Sequence, residues 1–382
     1  MEDNVVLIIT ISLIIIASPF FAKILKFPVT PIEIVFGSLA GSFGLLHDEY
    51  FFDILAEFGF LYLMFIAGTE INLKTIVKTP WHIIKSVLLY LLVLYILSSL
   101  FVLYFQLGKI FFILLPLISV GLIATLSKEY GKVPWLHIAM IAGVVGEVLS
   151  IVLLTLTSAA LHFGFGISFI KVVVSLILFL LFMFIIFRVM QLLFWWFPKI
   201  SIILMPHKDN TEQDIRLSMG ILFLLIGVML YLDLELAFGA FLAGIFIPTF
   251  FEHKKDLSHK LASYGFGFLI PIFFIHIGHS FHIEAFHMDG LIATALLIAL
   301  AMIMMRVIAA FVFIEKLGFI DAILMGLSHS MPLTLLIALA TLAYGAHSID
   351  KLHYYALILA ALLQVIGVSI IIKMIHNYKI KH

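Results

Sequence analysis

The chain has 382 residues, 22 basic and 22 acidic, and is 64% hydrophobic with only 12% charged; its mean hydropathy is +1.24 over 43.0 kDa. These values exclude a set of soluble domains and leave an integral membrane protein. The balanced charge argues against an electrostatic partner such as nucleic acid, and the absence of cysteine excludes disulfides, thiolate metal sites and cysteine nucleophiles.

A bilayer core about 30 Å thick needs roughly 20 apolar residues per helix, a ruler that divides the chain into thirteen segments. The first, 4 to 22, follows Met-Glu-Asp-Asn and lacks the basic flank of a secretory signal, so it reads as a retained helix. The others run 30 to 46, 54 to 69, 81 to 105, 109 to 126, 134 to 161, 167 to 197, 215 to 231, 234 to 251, 262 to 280, 290 to 314, 319 to 345 and 352 to 374. The expected fold is an all-α polytopic membrane protein, with no stretch left over for a soluble regulatory domain.

Orientation follows from the loops, because cytoplasmic loops carry the Lys and Arg excess. With the N-terminus outside, Lys23, Lys26, Lys74, Lys78, Lys85, Lys128, Lys132, Lys199, Lys208, Arg216, Lys254, Lys255, Lys260, Lys316, Lys373, Lys379 and Lys381 fall on or beside the inner face. Only Lys109, Lys171 and Lys351 fall outside, which puts the C-terminus in the cytoplasm. Arg188 and Arg306 lie within spans.

Two spans are interrupted. The fifth contains Pro116 and Gly121 with Ser119, Thr125 and Ser127 nearby; the twelfth runs Gly326-Leu-Ser-His-Ser-Met-Pro332-Leu-Thr334. A broken helix survives at membrane depth only inside protein or beside a wet cavity, and hydroxyl side chains satisfy the freed backbone. Segments five and twelve cross in opposite directions, as the inverted repeats of secondary transporters do. A proline that merely kinks its helix is the simpler alternative.

An ionisable group at helix centre costs about 2.5–3.5 kcal/mol on insertion scales. Glu147 lies mid-span in segment six with Gly143, Gly146 and Ser150 around it, and Arg306 lies mid-span in segment eleven. Small residues admit a second backbone close to the carboxylate. Arg306 requires an anion, and Glu147 is the expected partner, since Glu33, Glu57 and Glu70 fall near predicted span ends. A purely structural salt bridge is the alternative. Among the 16 histidines, His276, His279, His282 and His287 gather at the end of segment ten, open to reading as a metal site, a pH sensor or ordinary interfacial residues. His329, inside the second break, either adjusts the site's proton affinity or bonds a freed carbonyl.

Several motifs then carry a resemblance. Glu33-Ile-Val-Phe-Gly-Ser-Leu-Ala-Gly41, Ala56-Glu-Phe-Gly through Phe65-Ile-Ala-Gly-Thr-Glu70, Ser119-Val-Gly121 with Ala124, Phe238-Gly-Ala-Phe-Leu-Ala-Gly244 and Pro271-Ile-Phe-Phe-Ile-His-Ile-Gly278 are together similar to the bacterial monovalent cation:proton antiporter 2 family, the Kef-type and sodium/proton exchangers. The resemblance covers nearly the whole chain. It implies a bacterial inner-membrane antiporter rather than an enzyme, thirteen helices with two crossed broken helices, and a homodimer. Core helices are expected over about 81–161 and 290–374, with dimerisation or scaffold helices over about 4–69 and 167–280. It implies no cofactor; the partners are the lipid bilayer and the transported ions, H+ with Na+ or Li+, or K+.

By the same resemblance Glu147 occupies the position of the ion-binding acid, with Arg306 where relatives carry Lys or Arg. Where many relatives have two adjacent acids, this chain has Gly146 then Glu147, and Leu333-Thr334 follows Pro332 where many have Arg-Gly-Glu. One carboxylate holds one proton or one monovalent cation, and guanidinium stays protonated, so electroneutral one-for-one exchange is expected. Ser119, Gly121, Thr125 and Ser330 are expected to line the Na+ site at Glu147. His329 is the candidate pH modulator, and Glu70 or Glu57 the candidate second acid of an electrogenic alternative. K+/H+ exchange remains open, and a cation channel is the rival class.

Overall fold

The computed structural model describes residues 2–25, 28–47, 49–71, 79–131, 133–164, 166–206, 211–251, 254, 256–281 and 288–381. They are helical: α1 (Glu2–Leu25), α2 (Val29–Ser42), α3 (Tyr50–Thr69), α4 (Trp81–Tyr104), α5 (Phe111–Leu114), α6 (Gly121–Tyr130), α7 (Pro134–Phe163), α8 (Ile167–Trp196), α9 (Gln213–Tyr231), α10 (Leu236–Phe250), α11 (Leu257–Tyr264), α12 (Ile270–Ser280), α13 (Leu291–Ala310), α14 (Phe319–Ser328), α15 (Leu333–Gly345) and α16 (Lys351–Lys381). Among the described residues nine helices are long and apolar enough to cross a membrane, with shorter apolar helices at 29–42, 236–250, 319–328 and 335–345. The protein is an all-α, multi-pass membrane protein.

Helix ends follow local chemistry. Pro80 precedes α4 and Pro134 opens α7, where a missing amide costs no intrahelical bond. Gly131, Gly290 and Gly318 take left-handed φ of 73°, 84° and 79° at α6, α13 and α14 boundaries, a conformation cheap only without a Cβ. The tenth span starts earlier than hydropathy predicts, at Leu257, because amphipathic α11 joins α12 through a π-helical turn at Gly265–Leu269. At the start of this span Lys254 and Lys260 approach the buried Asp214 carboxylate of α9 at 3.3 and 3.7 Å.

The chain divides into two compact units, each assembled from two separated stretches. The first comprises 1–74 and 163–284. In it α3 packs along α10, and α2 along α12. Both pairings cross at glycines: a Cβ on Gly68 would run into the Phe241 carbonyl oxygen, one on Gly244 into Phe65's, and one on Gly278 into that of Ile34, opposite Gly37. Close backbone approach of this kind replaces the hydrophobic drive that lipid does not supply. Glu33, on α2, is buried at 4% exposure, not at a wetted helix end. The reason is packing: α2 lies against both α1 and α12.

The second unit comprises 75–162 and 285–382. Here α13 packs on α16, α14 and α4. Both helix interruptions fall in this unit, residues 115–120 between α5 and α6 and residues 329–332 between α14 and α15. Since α5 touches α15 while α6 touches α14, the two broken segments run antiparallel.

Candidate functional site

The first interruption leaves backbone groups without helical partners, and four of them are met by side chains. Ile118 N–H donates to Ser150 Oγ at 3.2 Å, and Val120 N–H donates to Glu147 Oε2 at 2.9 Å. Arg306 Nη2 donates to the carbonyls of Leu115 and Leu117 at 2.9 and 2.5 Å, while its Nη1 reaches Met302 O on its own helix at 2.9 Å. An unmet buried amide or carbonyl costs about 1–3 kcal/mol, so these contacts make the unwound conformation tolerable at membrane depth.

Glu147 and Arg306 are both fully buried. The carboxylate accepts from Val120 N–H and from Ser119 Oγ, at 3.3 Å, just where α6 begins. The guanidinium sits at the carbonyls that follow α5. Negative charge therefore meets the amide end of one half-helix and positive charge the carbonyl end of the other, the favourable polarity at each. No direct ion pair joins the two among the described residues; they are linked through the strand of backbone between Leu115 and Val120. The sequence reading pairs them directly, because it has no means of counting carbonyls stranded by the break.

The other expected residues fall as follows. Gly121 opens α6, so its carbonyl enters that helix's ladder. Thr125 belongs to α6, with its side chain outside the described residues. Ser330 is buried in the second break, its hydroxyl donating to Gly326 O at 3.0 Å. His329, beside it, places Nε2 3.0 Å from Ala139 O and Nδ1 2.8 Å from Tyr90 Oη. Glu57, exposed, and Glu70, at the end of α3, belong to the other unit. Of the histidine group, His276 bonds Asp53 at 2.9 Å and His279 is buried, while His282 and His287 lie outside the described residues. Tyr90 is the site neighbour that sequence inspection passes over, since nothing in Leu89-Tyr-Leu91 separates it from an interfacial tyrosine.

Helix α7 organises the whole. Ala139, Gly143, Glu147 and Ser150 recur at intervals of four, four and three, one face of a helix. Gly143 and Gly146 keep that face flat: a Cβ at Gly146 would stand 2.7 Å from Ile118, and one at Gly143 2.9 Å from Val120 and Ile123 and 3.6 Å from His329 Nε2. Both interruptions thus dock on a single stripe, the first at Glu147 and Ser150, the second at Ala139.

Comparison with known proteins agrees with this architecture. The model of the family "Sodium/hydrogen exchanger, transmembrane" matches residues 8–377. The Bacillus subtilis "Putative Na(+)/H(+) antiporter YjbQ" is 25% identical over 384 residues, covering 92% of this chain and 60% of its own. The chain thus spans about three fifths of that relative's length. "Probable Na(+)/H(+) antiporter 3" of Methanocaldococcus jannaschii is 25% identical over 332 residues, covering 84% of this chain and 82% of its own. In fold, the chain is similar to the solved sodium proton antiporter MjNhaP1 from the same archaeon, with a TM-score of 0.63 at 15% identity over 97% of this chain and 96% of that one.

Proposed function

Because the chain belongs to the transmembrane sodium/hydrogen exchanger family, we propose that it exchanges Na+, with Li+ as a surrogate, for H+ across the cytoplasmic membrane, one for one, by competition of the two ions for Glu147. The observation carrying this reading is a fully buried carboxylate held at the mouth of a broken helix by Val120 N–H and Ser119 Oγ. Protonated, it is neutral and needs no counter-ion. Deprotonated, it offers charge to a cation, with Ser119 Oγ beside it as a second oxygen ligand. Proton and Na+ cannot both occupy it, which suffices to couple their movements when the site opens to each side in turn.

Arg306 is permanently charged and committed to Leu115 and Leu117, so it balances the empty carboxylate through the break without itself carrying a transported proton. Each net charge moved would couple to voltage by about 2.3 kcal/mol per 100 mV. One-for-one exchange should show no such dependence. By the same family resemblance the unit built from 1–74 and 163–284 is the dimerisation scaffold and the other the transporting core. The protein needs no cofactor and catalyses no covalent step.

Everted vesicles test the proposal. Glu147→Gln should abolish Na+-driven proton movement, and the wild-type rate should be the same with and without an imposed potential. Retained exchange in the variant would remove the carboxylate from the mechanism; a voltage-dependent rate would remove the one-for-one stoichiometry. Running K+ beside Na+ and Li+ assigns the cation.

A further inference from the structure

His329 stands at the end of α14, where the second interruption starts, and is almost completely buried. Its surroundings fix its chemistry. The Ala139 carbonyl can only accept, so the hydrogen on the ring must be on Nε2, 3.0 Å away. Nδ1 faces Tyr90 Oη at 2.8 Å; in a neutral imidazole that nitrogen accepts and the Tyr90 hydroxyl donates. Tyr90 is itself fully buried and its ring lies 5.4 Å from the imidazole. The two rings therefore form one hydrogen-bonded chain, Tyr90 to His329 to Ala139, running from α4 through the second break to α7.

The groups around this chain suit a neutral imidazole that donates once and accepts once. From α13 the nearby charge is the buried Arg306 guanidinium, whose donors go to Met302, Leu115 and Leu117 and not to this chain. On α4 a charged imidazole would need Tyr90 to reverse its hydroxyl and accept. On α7 the atom in contact is a carbonyl, and Glu147 stands two turns farther along, engaged by the first break. With the Tyr90 hydroxyl donating to Nδ1, the imidazole is neutral and carries its hydrogen on Nε2.

We propose that Tyr90 and His329 form a permanently neutral strut that sets the second helix break against the same face of α7 that carries Glu147, Tyr90 being a positioning residue for exchange. The strut fixes where the second break sits along α7 while Glu147 and Ser150 fix the first. It also leaves Glu147 as the group that titrates, which rests on the reading of Glu147 given above. The histidine in the break is thus a mechanical part and not a proton carrier.

The test is a set of variants in the full chain. His329→Leu loses both bonds, whereas His329→Gln keeps them, its amide N–H2 donating to Ala139 and its oxygen accepting from Tyr90, yet cannot titrate. Exchange should fall about tenfold or more in His329→Leu and recover to within about threefold in His329→Gln, with the pH midpoint of activity unmoved. Tyr90→Phe should slow exchange by about tenfold, and combining it with His329→Leu should add little, since both remove the same chain. A midpoint displaced in His329→Gln, or fully multiplicative losses in the double variant, would overturn the strut. Because a mispacked variant also loses rate, 15N NMR of histidine-labelled wild-type protein, with His329→Gln supplying the assignment, gives a transport-independent readout. The neutral Nε2–H tautomer should persist from about pH 6 to 8; an imidazolium or Nδ1–H form in that range would reject the proposal whatever the fate of Glu147→Gln.

Discussion

A buried arginine with no carboxylate against it among the described residues looks anomalous until its donors are traced to Leu115 and Leu117. Replacing it shows what it holds. Arg306→Met should strand those two carbonyls at about 1–3 kcal/mol each and lower the melting temperature in detergent. Arg306→Lys, with a compact ammonium in place of a planar fork, should fall between Met and wild type. An Arg306→Met protein as stable as wild type would show that the break does not depend on the guanidinium. At this scale the sequence made Glu147 and Arg306 conspicuous, since charge amid uninterrupted apolar residues is rare. Their actual partners were not legible, because Val120 N–H and the Leu115 carbonyl are backbone atoms that any residue type could supply. Tyr90 escaped for a related reason: a tyrosine's hydroxyl is uninformative until its neighbour is known.

Among the elements, the interruptions were the most legible, because Pro116 and Pro332 remove amides that no other residue can restore. Helix starts were less so. The long terminal helix α16 begins at a cap that hydropathy does not reveal: Asp350 Oδ1 accepts from the His353 amide at 2.8 Å and lies 2.7 Å from its Nδ1. Partial burial pushes the Asp350 carboxyl upward, but the His353 amide and imidazole outweigh it and hold it below the usual aspartate range. A depressed carboxyl contributes stability that is complete above the unfolded value of about 3.9 and fades as pH falls through the folded one. Asp350→Ala should therefore cost about 1 kcal/mol at neutral pH, with the gap between the two melting curves closing under acid. A gap independent of pH would mean that the carboxylate is not the cap. The far end of α16 is tied down too, by Lys379 Nζ at 2.6 Å from Asp321 in the first turn of α14.

For the molecule as a whole, each unit is stitched from two stretches distant in sequence, so the tightest helix pairs join residues far apart along the chain. Glycine is what permits the closest of these. Gly68→Val would drive a branched side chain into the Phe241 carbonyl where α3 crosses α10, and overpacking of that kind costs about 1–3 kcal/mol or more. Gly220→Ala, facing open space on α9, should be tolerated. Comparing the monodisperse yield of the two by size-exclusion chromatography checks the assignment, and equal yields would argue that the helices can part without loss.

The sequence by itself determined the class of the protein, the positions of most spans, the two breaks and the rare ionisable residues at membrane depth. These properties depend on local composition: apolar runs must span, prolines must interrupt, and a carboxylate in hydrocarbon stands out wherever it is. Only the tertiary structure decided that Glu33 is buried, that Arg306 serves backbone carbonyls instead of pairing directly with Glu147, and that one stripe of α7 receives both breaks. Those outcomes depend on which backbone atoms are left without partners once helices from opposite ends of the chain have packed. Desolvation makes each such atom bind the nearest available donor or acceptor, and nearness across a fold is not a property that any stretch of sequence carries alone.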